Sequence, residues 1–260
     1  MFVESLAKGL SVLEAFQPDA PDLGLSEIAR RSGVTLSSAQ RITHTLTSLG
    51  YLERDAVKKT YRVGPRVMRI ARSYMQSVDL QRASQQPMQQ LARETGETVN
   101  VSVRSGMDIV YVSRLPNQDS IVLPNLWVGS NLPLQFTSMG RVLIAHMPES
   151  EREAVISAID FPFSTNAREL TEEDFRADLK QVRQSGFAIN DRDLRPDLRS
   201  VAAPILDSGA NAVAALGIAV SASKYTVSDI NTKLVTPLLR QAAAISSNLG
   251  YLDSQLDERR

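Results

Sequence analysis

Cysteine is absent from the 260-residue chain, which excludes a disulfide framework, thiol chemistry and thiolate metal sites. Histidine is nearly as scarce, with His44 and His146 the only two, and Trp127 is the single tryptophan. Without cysteine, a zinc site would have to be assembled from carboxylates around a lone histidine. No apolar run approaches the roughly 18–20 residues of a membrane span, and Met1-Phe2-Val3-Glu4 carries no basic segment. Neither secretion nor membrane insertion is expected, and the reading is a cytoplasmic protein. The motifs G-x-S-x-G, H-E-x-x-H and the phosphate-binding loop are also missing, so no catalytic residue, cofactor or metal is assigned. The carboxylate cluster Glu172-Glu173-Asp174 reads as the acidic first turn of a helix.

Net charge is absent too, because 29 basic side chains balance 29 acidic ones, but the balance hides an asymmetry. Residues 26–75 hold 10 basic and 3 acidic side chains, a local excess that suits a polyanion-facing surface.

What is present is a helical amino-terminal segment followed by an alternating one. Leu6, Leu10, Leu13 and Phe16 recur at helical spacing, and Pro18, Pro21 and Gly24 end that helix. A second helix has Ser26 as its N-cap and Ile28 and Ala29 facing inward, and Gly33 stops it. A third follows Thr35, with Leu36, Ala39, Ile42, Leu46 and Leu49 on one stripe and Gly50 at its end. Two β-like runs, Tyr51 to Arg54 and Thr60 to Val63, form a hairpin, and a linker helix runs from Pro65 to about Ser77. After a helix at 80–95 the period switches to two at Val99, Val101 and Val103, with a return at Ile109 to Val112. Further strands are expected at Ser120–Leu123, Phe187–Asn190, Ser200–Leu206 and Ala212–Val220, and helices at about 138–147, 150–159 and 172–185. A long helix from about Ser228, kinked by Pro237, closes the chain. The second part is thus an antiparallel sheet with helices, a shape that often holds a small molecule.

Helix, glycine turn, helix and hairpin are the order of a winged helix-turn-helix. Ala29 is small where the two helices meet, and a β-carbon at Gly33 is expected to push them apart. The outer face of the 36–49 helix shows Ser37, Ser38, Gln40, Arg41, His44 and Ser48, and glutamine and arginine are types that pair bidentately with base edges. Arg54, Lys58 and Lys59 in the wing suit phosphate contacts, and Thr35 joins the candidate DNA-binding set. A winged helix that serves only protein interaction is the alternative, and steep salt dependence of DNA binding separates the two. Trp127 is read chiefly as a core residue, with a pocket lid or subunit contact as the alternative, and the arginines and aspartates of residues 191–199 as a solvated charged loop, with an interdomain or subunit ion-pair network as the alternative.

The sequence resembles the IclR family of bacterial transcriptional regulators over nearly its whole length. The matching stretches are Ser5-Leu6-Ala7-Lys8-Gly9-Leu10-Ser11-Val12-Leu13, Leu25-Ser26-Glu27-Ile28-Ala29, Leu49-Gly50-Tyr51-Leu52 and Tyr61-Arg62-Val63-Gly64-Pro65. In the second part they are Thr137-Ser138-Met139-Gly140-Arg141-Val142-Leu143, Gly186-Phe187-Ala188-Ile189-Asn190-Asp191 and Leu198-Arg199-Ser200-Val201-Ala202-Ala203-Pro204. Their order and spacing make the resemblance specific. It implies an α+β chain with a winged helix-turn-helix DNA-binding domain at 1–64, a linker helix at 65–78 and a GAF-like effector-binding domain at 79–260. It also implies a homodimer or homotetramer on double-stranded DNA, at an inverted-repeat operator. The opening Phe2-Val3-Glu4-Ser5 and the strand end Ser221-Ala222-Ser223 look closer to the subgroup that governs β-ketoadipate-pathway genes and responds to aromatic acids.

Carried residue by residue, the family's effector pocket falls on Leu132, Ser138, Met139 and Gly140 on one wall and Asn190, Leu198, Ser200, Gly217 and Ala219 on the other. Amide groups at the start of the 138–147 helix can hold a carboxylate, with Asn190 and Ser200 adding hydrogen bonds. Gly217 and Ala219 stand where serines can line the pocket, which implies a roomier, more apolar cavity suited to an aromatic acid. The alternatives are that these two are merely tightly packed strand positions, and that the effector is a small aliphatic acid such as glyoxylate or pyruvate.

Overall fold

The computed structural model describes residues 1–77, 79–117 and 126–251, and the expected strand Ser120–Leu123 lies outside them. The chain divides into two compact units, Met1–Ser77 and Val78–Arg260.

The first unit contains α1 (Glu4–Glu14), β1 (Leu23–Gly24), α2 (Leu25–Ser32), α3 (Leu36–Ser48), β2 (Leu52–Asp55), β3 (Thr60–Val63) and α4 (Val67–Ser77). Its core gathers Val12, Ala15, Leu23, Ile28, Ala29, Ala39, Leu52 and Tyr61. Leu6 and Leu10 of the periodic leucine stripe stay exposed, because α1 turns the face bearing Val12 and Ala15 inward. Ser26 is not the N-cap of α2: Gly24, still extended and paired with Thr60, is followed directly by the helix, so Ser26 falls within the first turn. Gly33 ends α2 at φ 68°, its N–H donating to the Ala29 carbonyl. A β-carbon at Gly33 would meet nothing within 4 Å, so it is the left-handed backbone, not crowding between the helices, that calls for glycine.

Thr35 caps α3 by accepting the Ser38 N–H at 3.3 Å. The buried positions of α3 are Ala39 and Thr43, while Leu36 and Leu49 of the expected stripe are exposed at its two ends. Thr43 tolerates burial because its hydroxyl donates to the Gln40 carbonyl at 3.1 Å. In the hairpin Leu52 faces Val63 and Arg54 faces Tyr61, and β1 adds a third strand beside β3. Its turn is held by the Asp55 carboxylate, which accepts N–H groups from Val57 and Lys58 at 2.9 and 3.0 Å.

The second unit contains α5 (Leu80–Thr95), β4 (Thr98–Ser105), β5 (Asp108–Leu115), β6 (Asn131–Pro133), α6 (Ser138–Ala145), α7 (Glu149–Ser157), β7 (Phe163–Ser164), β8 (Glu169–Leu170) and α8 (Glu172–Ser185). It continues with β9 (Ala188–Asp191), β10 (Leu198–Leu206), β11 (Ala212–Ser221), the short α9 (Val227–Asp229) and α10 (Val235–Asn248). One sheet of order β6-β5-β4-β11-β10-β9, antiparallel throughout, forms its centre. Helix α6 packs on β10 and β11, and α5 and α10 pack together. Helix α8 opens with the full capping box of Thr171 and Asp174 and stops at Gly186. The closing helix breaks before Pro237, in a π-helical turn at Ile230–Leu234, because proline has no N–H for the carbonyl one turn back.

Two sequence expectations are overturned here, the second in part. Trp127 is 64% exposed and so not a core residue; its neighbour Leu126 takes the inward place, packed against Leu198 and Ala219. The charge of the 191–199 segment is solvated only at Arg192, Arg195 and Asp197, since Arg199 pairs with Asp191 at 2.7 Å and Asp193 forms a fully buried ion pair with Arg141 at 2.8 Å. The Arg141 Nε also donates to the Gln135 carbonyl at 3.1 Å, so one guanidinium links the turn before α6 to the turn after β9.

Candidate functional site

Two places in the fold collect the residues singled out above. On α3, Ser37, Gln40, Arg41, His44 and Ser48 form an exposed polar face opposite Ala39 and Thr43, and Ser38 is half-buried. Thr35 is exposed, and its hydroxyl is already engaged with the backbone and side chain of Ser38. Lys58 and Lys59 are exposed at the hairpin tip beside Val57. The Arg54 guanidinium lies 5.8 Å over the Tyr61 ring, which holds its charge beside the hairpin. Arg62 is neutralised by Glu53 at 2.7 Å, so it offers less to a phosphate than the two lysines do.

The second place is a cavity on the sheet at the start of α6. Leu132, Ser138, Met139, Asn190, Leu198, Ser200, Gly217 and Ala219 all line it, with Asn100, Tyr111, Phe136, Thr137, Leu194 and Ile218. Sheet register explains the grouping: Asn190, Ser200 and Ala219 form one cross-strand row, and Ala202, Gly217, Asn100 and Arg114 the next. Gly140 does not line the cavity. Its α-carbon rests against the Leu134 backbone, where a β-carbon would come within 2.1 Å of the Leu134 oxygen. Glycine there lets the turn before α6 close onto the helix.

Polar groups in the cavity differ in how free they are. Thr137 caps α6 by accepting the Gly140 N–H at 2.9 Å, while Ser138 and Met139, whose amides have no carbonyl within the helix to bond, line the cavity. Ser138 and Ser200 share a hydrogen bond of 2.8 Å between their hydroxyls. Asn190 is partly engaged, donating one amide N–H to the Phe136 carbonyl at 2.6 Å and accepting the Asp193 N–H at 3.1 Å, which leaves its second N–H for a ligand. It braces the two loops that frame the cavity. Burial pushes the Tyr111 phenol up to about 12, so it stays protonated, and desolvation lowers the Arg114 guanidinium from its ordinary value.

The expected roominess is absent. Free space is about 20 Å³, enough for one water. Met139 accounts for this: a β-carbon built on Gly217 would lie 3.0 Å from its Cγ and 3.1 Å from its sulfur, so the methionine fills the space over the glycine. The Ser102 hydroxyl, 3.6 Å away, donates to that sulfur. Asn100 and Tyr111 escaped the sequence reading, although the polar alternation Thr98, Asn100, Ser102 marked a face that the fold buries.

Among the described residues no group of three His, Asp or Glu side chains is placed to hold a metal ion. His146 lies 2.9 Å from the Val142 carbonyl through Nδ1, and desolvation lowers its pKa. No helix among the described residues is long and apolar enough to cross a membrane.

A winged helix-turn-helix with a basic hairpin, carried on one chain with a cavity-bearing antiparallel sheet unit, defines the class as ligand-responsive DNA-binding transcriptional regulators. Residues 5–56 match the IclR helix-turn-helix domain, and residues 72–247 match the bacterial transcriptional regulator IclR C-terminal domain. The chain belongs to the IclR family, whose members are transcriptional regulators and not enzymes. It is similar to the Pca regulon regulatory protein of Pseudomonas putida, 31% identical over 92% of this chain and 81% of that one. The p-hydroxybenzoate hydroxylase transcriptional activator of Acinetobacter baylyi is also 31% identical, over 95% and 92% of the two chains. Among solved structures, a transcriptional regulator from Rhodococcus sp. RHA1 aligns with TM-score 0.79 at 34% identity, over 95% of this chain and 98% of that one. An IclR homologue from Microbacterium hydrocarbonoxydans, crystallised with 4-hydroxybenzoate, shares the fold with TM-score 0.80 at 23% identity, over 94% and 98%.

Proposed function

We propose that this regulator takes a small organic acid, preferably aromatic, in the cavity at the start of α6, and that the ligand changes how its homodimer or homotetramer engages DNA. Residues 1–64 are the DNA-binding part, 65–78 the linker helix and 79–260 the effector-binding part. The two α3 helices of a dimer would enter successive major grooves of an inverted-repeat operator, with Gln40, Arg41 and His44 toward the bases and Arg54, Lys58 and Lys59 toward phosphates. Large apolar side chains left exposed on the first unit, Phe2, Leu6 and Leu10 of the α1 segment and Met68, Ile70 and Tyr74 of α4, favour a second copy as partner. The expected location is cytoplasmic.

The observation that carries the effector reading is the cavity itself, where the first amides of α6 and the Ser138–Ser200 hydroxyl pair meet an apolar wall of Leu132, Leu198 and Ala219. An aromatic acid fits after Met139 turns away, and methionine, unbranched with three rotatable bonds, is suited to that. The narrow free space favours a second reading, in which a two- or three-carbon acid enters without that movement. A thermal-shift screen of hydroxybenzoates against glyoxylate and pyruvate separates them, since a native-state ligand raises apparent stability. Stabilisation by hydroxybenzoates alone supports the aromatic reading, stabilisation by the aliphatic acids alone replaces it, and no response from either set contradicts the assignment of the cavity. For the DNA face, Arg41→Ala is expected to erase discrimination between operator and random DNA in a folded protein, and unchanged discrimination removes Arg41 from the interface.

A further inference from the structure

The cavity has a second polar stretch, built by β4 and β5 beneath the Met139 side chain. A β-bulge between Val101 and Ser102 shifts the register, so that Asn100 faces Arg114 while Ser102 faces Tyr111. In regular pleating, residues three apart on a strand point to opposite sides. Here the extra residue on β5 puts Tyr111 and Arg114 on one face, the one that carries Asn100 and Gly217.

Chemistry fixes the orientation of the asparagine. The Arg114 Nη1 donates to the Asn100 Oδ1 at 3.0 Å, and a guanidinium has no acceptor to offer, so the amide oxygen must face the arginine and the Nδ2 group turns away from it. Asn100 is 2% exposed and Tyr111 5%, and both line the cavity. Neither the Asn100 Nδ2 nor the Tyr111 hydroxyl has a hydrogen-bond partner among the described residues, and both are open to the cavity that their residues line. Two hydrogen-bonding groups that face the same cavity wall and have no protein partner are free to meet an oxygen-bearing ligand atom there.

We propose that Asn100 and Tyr111, with Arg114 orienting the asparagine, form a second polar subsite that binds an oxygen function at the far end of the effector. This rests on the effector reading given above and narrows it to bipolar acids: one carboxylate at the α6 end and a hydroxyl or second carboxylate at the β4–β5 end. The amide donates to that oxygen, and the phenol, which both donates and accepts, matches either function. Arg114 holds Asn100 as a donor without itself lining the cavity, so it is a positioning residue.

Isothermal titration calorimetry of the full chain with benzoate, 4-hydroxybenzoate and terephthalate tests this. Both para-substituted acids are expected to bind more tightly than benzoate. Tyr111→Phe, which removes one oxygen, is expected to weaken 4-hydroxybenzoate about three- to tenfold, the worth of one hydrogen bond, and to leave benzoate unchanged. Asn100→Asp keeps a partner for Arg114 but can no longer donate, so terephthalate is expected to lose more affinity than 4-hydroxybenzoate. Binding of benzoate as tightly as the para-substituted acids, or equal losses for benzoate and 4-hydroxybenzoate in Tyr111→Phe, overturns the second subsite and leaves the cavity assignment standing. Failure of all three acids to bind the unaltered chain overturns the aromatic-effector reading and the subsite together.

Discussion

Replacing Met139 by alanine probes the closed state of the cavity most sharply. The side chain is 4% exposed, and its Cγ, sulfur and Cε lie 3.0, 3.1 and 3.4 Å from the position a β-carbon on Gly217 would occupy. Met139→Ala removes those three atoms from a packed site, a change of the kind that costs about 2–5 kcal/mol. At about 2–4 °C per kcal/mol for a unit of this size, the melting temperature should fall by roughly 5–15 °C. Ligand affinity should move the other way. In the unaltered protein an aromatic acid must first displace the methionine, and a displacement cost of about 1.4 kcal/mol corresponds to a tenfold loss in apparent affinity. The alanine variant has no such step, so 4-hydroxybenzoate should bind it about tenfold more tightly and raise its melting temperature by more. Scanning calorimetry gives the first quantity and titration calorimetry the second. Destabilisation with an unchanged or weaker dissociation constant would refute the reasoning, because Met139 would then be ordinary core and not the occupant of the ligand's place.

Two further outcomes follow from the ion pairs. Asp193→Asn leaves the Arg141 charge buried without its partner 2.8 Å away and should destabilise the protein by about 3–5 kcal/mol, while Arg141→Met/Asp193→Leu should recover much of that in urea unfolding; a single variant within about 1 kcal/mol of the parent contradicts the burial of the pair. Hydrogen bonds from Arg30 and Arg31 hold the Glu27 carboxyl down to about 2 from an ordinary 4.5. A folded-state pKa depressed in this way contributes stability that is present above pH 4.5 and lost as pH falls toward 2. Glu27→Gln should therefore flatten part of the acid-side decline in that window, and parallel stability curves for the two proteins would show that the arginines do not hold the carboxylate.

The parts of this fold that were legible in the sequence are those decided within a few residues. Gly33, Gly96 and Gly186 end helices at positive φ, and the Thr171–Asp174 box starts α8, because backbone handedness and capping are local requirements. Which face of a helix is buried is not local. Leu6 and Leu10 have the spacing of a core stripe, yet the core formed on Val12 and Ala15 because those meet α2 and α3. The eight cavity residues foreseen on α6, β6, β9, β10 and β11 came from family resemblance, not from periodicity. Tyr111 stayed hidden because a bulge in β5 decides which way it points, and a one-residue shift in register has no signature in composition. Nothing near Asn190 in sequence reveals that Phe136 and Asp193 already use part of its amide.

In the proposed function the exposed face of α3 reads an operator under control of a ligand in the second unit. Selection of bound sequences from a random duplex library by the full chain, with and without 4-hydroxybenzoate, tests it most directly. The expected result is an enriched inverted repeat with half-site centres about 10–10.5 base pairs apart or a multiple of that, lost in Arg41→Ala and altered in yield by the ligand. Recovery of no enriched sequence, or of one that Arg41→Ala selects equally well and the ligand leaves untouched, would contradict it.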